Sequence, residues 1–186
     1  MIVVRKIRSD TLYQLSPLDD AELVAEEPVL RIGTFGLELR YMPLPKPEWR
    51  QFTRPKHVNP VALVGSESSA VYAAFDGDRC IGSAAVTVMP YGWAEILDIR
   101  VDAACRRQGV GRMLLDKCSG FAQRNTLHGL RVICTDQNPG VCHFLTREGF
   151  SLCGFDTMAC SQMEEHRLKP KSRRPSLLTF YRLNQK

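Results

Sequence analysis

The stretch that most limits what this chain can fold into runs from Trp93 to Arg124. It opens as WAEILDIRV, a strand by its β-branched content and alternation. It then passes through Arg106-Arg107-Gln108-Gly109-Val110-Gly111-Arg112 into an amphipathic run. In that run Val110, Met113, Leu114, Cys118, Phe121 and Ala122 fall on one helical stripe. A strand that gives way to a helix through glycines and arginines is an anion cradle. The first turn of a helix presents unpaired N–H groups and a partial positive charge. Glycines let an anion approach the backbone closely. Arg106, Arg107 and Arg112 add the charge needed to hold a pyrophosphate. No Gly-Lys-Ser/Thr follows, so the segment is not a P-loop. No Gly-x-x-Gly spacing follows Gly111, so it is not a dinucleotide fingerprint either.

The elements around this segment set the fold class. VYAAF and CIGSAAVTVM flank Asp76-Gly77-Asp78 and read as a hairpin. Tyr91-Gly92 is a second turn, leading into the strand at 93–101. Leu130–Cys134 is a short apolar strand. Asn138–Glu148 reads as a helix with Asn138 as its N-cap, Pro139 at its first position and Gly149 at its end. Strands follow at 150–160 and 176–183, joined by the basic loop HRLKPKSRRP. The order from residue 71 is strand, strand, strand, helix, strand, helix, strand, strand. That is a mixed sheet with helices packed on it, of the α/β or α+β class.

The first third reads as less regular. Residues 9–27 carry helix-start signals and an acidic stretch interrupted by Pro17. From Val29 to Arg40 the sequence partly alternates, and Leu37, Leu39 and Tyr41 point to a strand. Pro43, Pro45, Pro47 and Pro55 then read as a surface loop pinned to the body by Trp49 and Phe52.

The chain's 186 residues and 21.0 kDa suit one domain with a self-sufficient core, expected to span 1–186. Within it, 70–160 is the expected cofactor-binding core and 1–69 a variable, acceptor-side segment. Hydrophobic residues at 44% and charged residues at 24% exclude a disordered or fibrous chain. No apolar run approaches the ~18 residues of a membrane span, and MIVVRKIR lacks a signal peptide's apolar stretch. A cytoplasmic protein without a membrane partner is therefore expected. The net charge of +5 is mild, favouring an anionic ligand over a nucleic acid, which needs a denser basic face. Seven cysteines with no C-x-x-C spacing argue against a disulfide framework or a zinc site and for buried thiols. The four histidines (57, 128, 143, 166) show no metal spacing, so no metal is expected.

Arg106-Arg107-Gln108-Gly109-Val110-Gly111 resembles the Arg/Gln-x-x-Gly-x-Gly/Ala motif of the GNAT superfamily of N-acetyltransferases, in which it binds the pyrophosphate of acetyl-coenzyme A. The order of elements over 71–160 agrees. A closer resemblance is to streptothricin acetyltransferases. It is carried by His128-Gly129-Leu130, Asp136-x-Asn138, Cys142-x-Phe144, Gly149-Phe150, Gly154-Phe155-Asp156-Thr157-Met158 and the last strand LLTFYRL, and it is weak before Val71. Where comparable members carry a long acidic segment, this chain has PKPEWRQFTRPKHVNP.

The resemblance implies a mixed, mostly antiparallel central sheet, splayed at its fourth strand, with helices on both faces. It implies acetyl transfer from acetyl-CoA to a small-molecule primary amine, a streptothricin-like antibiotic first. A protein or polyamine acetyltransferase and a non-catalytic acyl-CoA-binding module are the alternatives, and a homodimer is left open. Backbone groups of Ile99, Arg100 and Val101 would pair with the pantetheine arm, and one N–H there would polarise the thioester. Arg106, Arg107, Gln108, Gly109, Val110, Gly111 and Arg112 would hold the pyrophosphate, and Asn138 would contact the cofactor arm. The amine's proton needs a carboxylate. Simple alternation points Glu95, Leu97, Ile99 and Val101 one way and Ile96, Asp98 and Arg100 the other, so Asp98 and Glu95 stand as alternatives unless a bulge intervenes. Asp98 is taken first and Glu95 second; comparable enzymes place a Glu where this chain has Leu97. The tyrosine that usually protonates the departing thiolate falls at Leu145. Tyr72, Cys142, His143 and Tyr181 are nominal replacements, and Asp156 and Glu38 are candidates to line an acceptor pocket.

Overall fold

The computed structural model describes residues 1–34, 36–52, 59–158 and 175–184. Pro55, His57, Cys160, His166 and the basic 166–174 loop lie outside the described residues. Nine strands and three helices follow in the order β1 (Ile2–Lys6), β2 (Glu22–Gly33), β3 (Gly36–Arg50), α1 (Pro60–Leu63), β4 (Ser69–Asp76), β5 (Arg79–Met89), β6 (Trp93–Val101), α2 (Val110–Arg124), β7 (Gly129–Thr135), α3 (Pro139–Arg147), β8 (Ser151–Asp156) and β9 (Leu177–Leu183) among the described residues. They form two compact units, each assembled from separate segments. The first takes Met1–Glu22, Gln51–Arg131 and Leu183–Lys186; the second takes Leu23–Arg50 and Val132–Arg182.

In the first unit the strand order is β1-β4-β5-β6, followed by the opening residues of β7. The pairs β1·β4, β4·β5 and β5·β6 are all antiparallel. The expected hairpin is β4–β5, with Asp76 opposite Arg79 and Gly77 at φ +58° in its turn. β1 was not anticipated as a strand. It pairs from Ile2 opposite Asp76 to Lys6 opposite Tyr72.

Alternation along β4 divides the two faces of this sheet. Val71, Ala73 and Phe75 join Ile7 in an apolar cluster against Leu12 and Leu15 from a 3₁₀ turn and Leu63 from α1. On the other face the Tyr72 hydroxyl accepts a hydrogen bond from Arg124 Nη2 of α2 at 3.1 Å. Helical segments therefore cover both faces of this sheet, as the fold class requires. Helix α2 buries Val110, Leu114, Leu115, Cys118, Phe121 and Ala122, close to the stripe read from the sequence. Each large apolar side chain so buried contributes roughly 1.5–3 kcal/mol. Close packing at the start of α2 depends on Gly82 in β5. A Cβ there would lie 3.0 Å from the Arg100 carbonyl oxygen and 3.1 Å from both Val110 and Leu114.

One irregularity reorganises β6. Its register against β5 pairs Ile96 with Val86 and Asp98 with Ala85, so Leu97 is an extra, bulged residue. Glu95 lies opposite Thr87, Asp98 opposite Ala85 and Arg100 opposite Ser83. Thr87, Ala85 and Ser83 are two apart and share one face, and cross-strand partners point the same way. Glu95, Asp98 and Arg100 thus share a face, while Ile96, Ile99 and Val101 turn to the α2 side. This corrects simple alternation, which separated Glu95 from Asp98. Leu97 itself packs partly buried against the apolar cluster.

In the second unit β2 and β3 form their own two-stranded sheet, and the rest of β7 is followed by β9 and then β8. β8 and β9 are antiparallel, from Ser151 opposite Tyr181 to Asp156 opposite Leu177. Pro43, Pro45 and Pro47 lie inside β3 and not in a loop. They fall on one parity, so the missing N–H groups are all on the same edge of the strand. Trp49 does not pin anything down; it is 72% exposed. Helix α3 starts as read: the Asn138 side chain accepts from Val141 N, Pro139 is at the first turn, and Gly149 follows the helix at φ +82°.

Candidate functional site

The turn between β6 and α2 leaves the helix start without a side-chain cap among the described residues. α1 and α3 are each capped by an asparagine, Asn59 and Asn138. α2, the longest helix among the described residues, has Gly109 as its N-cap, at φ +83°, and no side-chain cap. The first backbone bond of this helix runs from Met113 N–H to the Gly109 carbonyl at 3.0 Å. A helix start leaves over the amide donors of its first turn. A Cβ on Gly109 would meet nothing within 4 Å among the described residues, so the space at that position is open. Arg107 also has a left-handed backbone, at φ +63°, and it is exposed together with Gln108, Gly109 and Arg112.

The arginines of the turn divide in role. The Arg106 guanidinium donates to the carbonyls of Val101 at 3.3 Å and Ala21 at 3.1 Å, and lies 3.4 Å from Glu22. It ties the end of β6 to the segment before β2, so its side chain is occupied by the fold. Asp102 supports the same corner: it accepts from Ala104 N at 3.2 Å and pairs with Arg79 at 3.1 Å. Arg107 and Arg112 are exposed beside the turn.

On the opposite face of β6 both candidate carboxylates are paired. Asp98 accepts from Arg100 Nε at 2.8 Å, and its side chain is 7% exposed. Arg100 Nη1 donates to Asp20 and, at 2.9 Å, to the Phe52 carbonyl. Glu95 lies 2.9 Å from Arg131 Nη1. That contact is a charge pairing without hydrogen-bond alignment, since Glu95 Oε2 and Arg131 Nε are both buried with no hydrogen-bond partner. Asp20 and Arg131 were not singled out from the sequence. Asp20 sits 80 positions from Arg100, and the only local signal was an acidic stretch.

The nominal proton donors are placed as follows. Leu145 is 1% exposed in the core of its unit. Tyr72 is buried under α2, and burial raises its pKa. The Cys142 thiol is buried 4.0 Å from that of Cys134, whose pKa is held well above its ordinary value by the Cys142 hydrogen bond and by burial. His143 Nε2 lies 2.7 Å from Glu26 and its ring stacks on Tyr41 at 3.8 Å. Burial, with Cys142, Glu26 and Cys134 nearby, raises Tyr41 to about 12. Tyr181 lies on β9. Asp156 accepts from Met158 N at 2.7 Å, which holds the turn after β8. Glu38 lies on β3 beside Gly33, where a Cβ would be 2.3 Å from its carboxylate. A cavity of about 440 Å³, lined by Arg5, Tyr13, Gln14 and Arg79 among others, lies by the β4–β5 turn and includes none of the expected site residues. Among the described residues no His/Cys/Asp/Glu group is arranged to hold a metal ion, and no helix is long and apolar enough to cross a membrane.

Comparison with known proteins places this geometry. Residues 36–150, more than half of the chain, match the acetyltransferase (GNAT) family model. Streptothricin acetyltransferase A of Bacillus subtilis (strain 168) is 34% identical over 101 residues, 54% of this chain and 58% of that protein. The chain thus aligns with less than two thirds of that relative's length. A protein assigned as a streptothricin acetyltransferase from Bacillus anthracis str. Ames, crystallised with acetyl coenzyme A, superposes with a TM-score of 0.85 at 19% identity, covering 98% of this chain and 99% of that one. A nourseothricin acetyltransferase superposes with a TM-score of 0.78 at 22% identity, covering 99% of each chain. The family match reaches back to residue 36, well before the Val71 at which the sequence resemblance fades. The glycine turn that opens α2 lies within the matched stretch, and the chain belongs to the acetyltransferase (GNAT) family.

Proposed function

We propose that the chain is an acetyl-CoA-dependent N-acetyltransferase acting on a primary amine, and that the amine belongs to a streptothricin-like antibiotic. The observation that supports this best is the uncapped, open start of α2 behind Gly109. In a family whose members use acetyl-CoA, that turn suits the pyrophosphate of the cofactor. The amides of Gln108, Gly109, Val110, Gly111 and Arg112 and the side chains of Arg107 and Arg112 would hold it. Arg106 acts on this reading through its backbone and by bracing the turn. Bound there, acetyl-CoA supplies the activated acetyl group. Ile99, Arg100 and Val101 offer backbone groups to the pantetheine arm, with one N–H as an oxyanion donor. The Asn138 oxygen is used by the α3 cap, which leaves its amide N–H₂ for a ligand.

A lysine-like amine has a pKa of ~10.4, so losing its proton at pH 7 costs about 4.6 kcal/mol. The carboxylates on β6 answer that demand. Asp98 is the proposed base, directly or through water, and Glu95 is second, now on the same face. With leucine at position 145, the departing thiolate leaves without a tyrosine. A thiol of Cys-like pKa ~8.5 is a fair leaving group unaided. A small-molecule amine partner and a cytoplasmic location follow from the same reading.

The test is release of free thiol from acetyl-CoA across a panel of amines that includes streptothricin, polyamines and a lysine-containing peptide. Turnover confined to the antibiotic supports the proposal. Turnover only on peptide or polyamine moves the acceptor. Acetyl-CoA binding with no turnover on any amine turns the chain into an acyl-CoA-binding module, the reading that the buried Leu145 favours.

A further inference from the structure

We propose that Asp20 is a positioning residue for Asp98, acting through Arg100; this rests on the reading of Asp98 as the base. The four groups involved come from three separate places in the first unit. Asp98 and Arg100 lie on β6 beyond its bulge, Asp20 precedes β2, and the Phe52 carbonyl follows β3. Arg100 meets Asp98 through Nε at 2.8 Å. It meets Asp20 and the Phe52 carbonyl through Nη1, the latter at 2.9 Å. All three ionised side chains are largely buried, at 7% exposed for Asp98, 10% for Asp20 and 15% for Arg100.

A guanidinium is planar, with its donors in a fixed fork. Two acceptors on Nη1 therefore set the plane, and the plane sets the direction from which Nε meets Asp98. Without the second carboxylate, one of the two anchors on Nη1 is lost, and the whole guanidinium is free to turn about its side-chain torsions, carrying the Nε–Asp98 contact with it. The Asp98 carboxylate then points elsewhere. Asp20 thus holds Arg100, and through it Asp98, in one orientation. The bulge at Leu97 is what brings Asp98 and Arg100 to the side where Asp20 waits.

The experiment is a double-mutant cycle on the full chain, with kcat and KM measured for the amine and for acetyl-CoA. Asp20→Asn is expected to lower kcat about tenfold and leave KM for acetyl-CoA unchanged. In the Asp98→Asn background, itself slow, Asp20→Asn is expected to lower kcat no further. Arg100→Lys, which reaches one carboxylate and not two, is expected to reproduce the loss, and it serves should Asp20→Asn fail to fold. Equal losses in both backgrounds, or wild-type kcat in Asp20→Asn, overturn the positioning role while the base survives. Wild-type kcat in Asp98→Asn overturns the base and the positioning role together. A crystal structure of Asp20→Asn adds a readout free of turnover: a rotated Asp98 carboxylate supports the proposal, and an unmoved one overturns it.

Discussion

At the scale of single residues, the site depends on atoms that are absent as much as on those present. Gly82 holds no side chain at the place where α2 meets the end of β6. A methyl group there would press on the Arg100 carbonyl at 3.0 Å and on Val110 and Leu114 at 3.1 Å. The carbonyl is backbone and gives little; the helix must move. Gly82→Ala is therefore expected to destabilise the protein by about 1–3 kcal/mol, the usual cost of overpacking. It should also shift the start of α2 relative to β6 and weaken acetyl-CoA binding. Urea unfolding and calorimetric titration with the cofactor check the two effects. A variant as stable and as tight as wild type would show that the contact is not restrictive. Sequence spacing gave no sign of this constraint, since Gly82 sits in the middle of an ordinary apolar strand.

At the scale of elements, β3 shows how a sequence signal can be read correctly in chemistry and wrongly in geometry. Three prolines at alternate positions look like a loop, yet they lie within a strand and remove the N–H groups of one edge. Such an edge resists pairing with another chain. Replacing Pro43, Pro45 and Pro47 together by valine is expected to leave unfolding free energy within about 1 kcal/mol but to promote self-association, since a full row of donors appears. Light scattering against concentration tests this; a triple variant that stays monodisperse would deny the prolines their guarding role. The hairpin β4–β5, helices α2 and α3 with their ends, and the turn at Gly109 were all legible, because each is written in local patterns: turn residues, caps and helical periodicity. β1 was not, because five residues that pair 66 to 74 positions away carry no local mark. Nor was the bulge at Leu97, since alternation assumes a regular register and the extra residue shows only against β5. For the same reason the candidate carboxylates could be named from the sequence but not placed on one face, and Asp20 could not be found at all.

At the scale of the whole molecule, the net charge of +5 draws anionic ligands in, but over distances that physiological salt screens to about 8 Å. Affinity must come from the local cradle, and this separates two kinds of mutation. A ligand that binds only the folded state stabilises it by about 2.7 kcal/mol at a concentration a hundredfold above its Kd. For a chain of this length that corresponds to a rise in Tm of roughly 5–10 °C. Acetyl-CoA is expected to produce such a rise in the wild type. Gly109→Glu should abolish it by placing a carboxylate where the pyrophosphate belongs. The same substitution leaves the surrounding packing intact, since a Cβ at Gly109 meets nothing within 4 Å. Its intrinsic penalty is the left-handed backbone at φ +83°, on the order of 1–3 kcal/mol. Without cofactor the variant should therefore unfold cooperatively, only several degrees below wild type. Reversing a surface charge remote from the turn, as in Lys117→Glu, changes net charge by the same kind of amount plus one unit and should leave the shift in place. Differential scanning calorimetry of the three proteins with and without acetyl-CoA decides the matter. No shift in the wild type, or a full shift in Gly109→Glu, would remove the turn before α2 from the binding site.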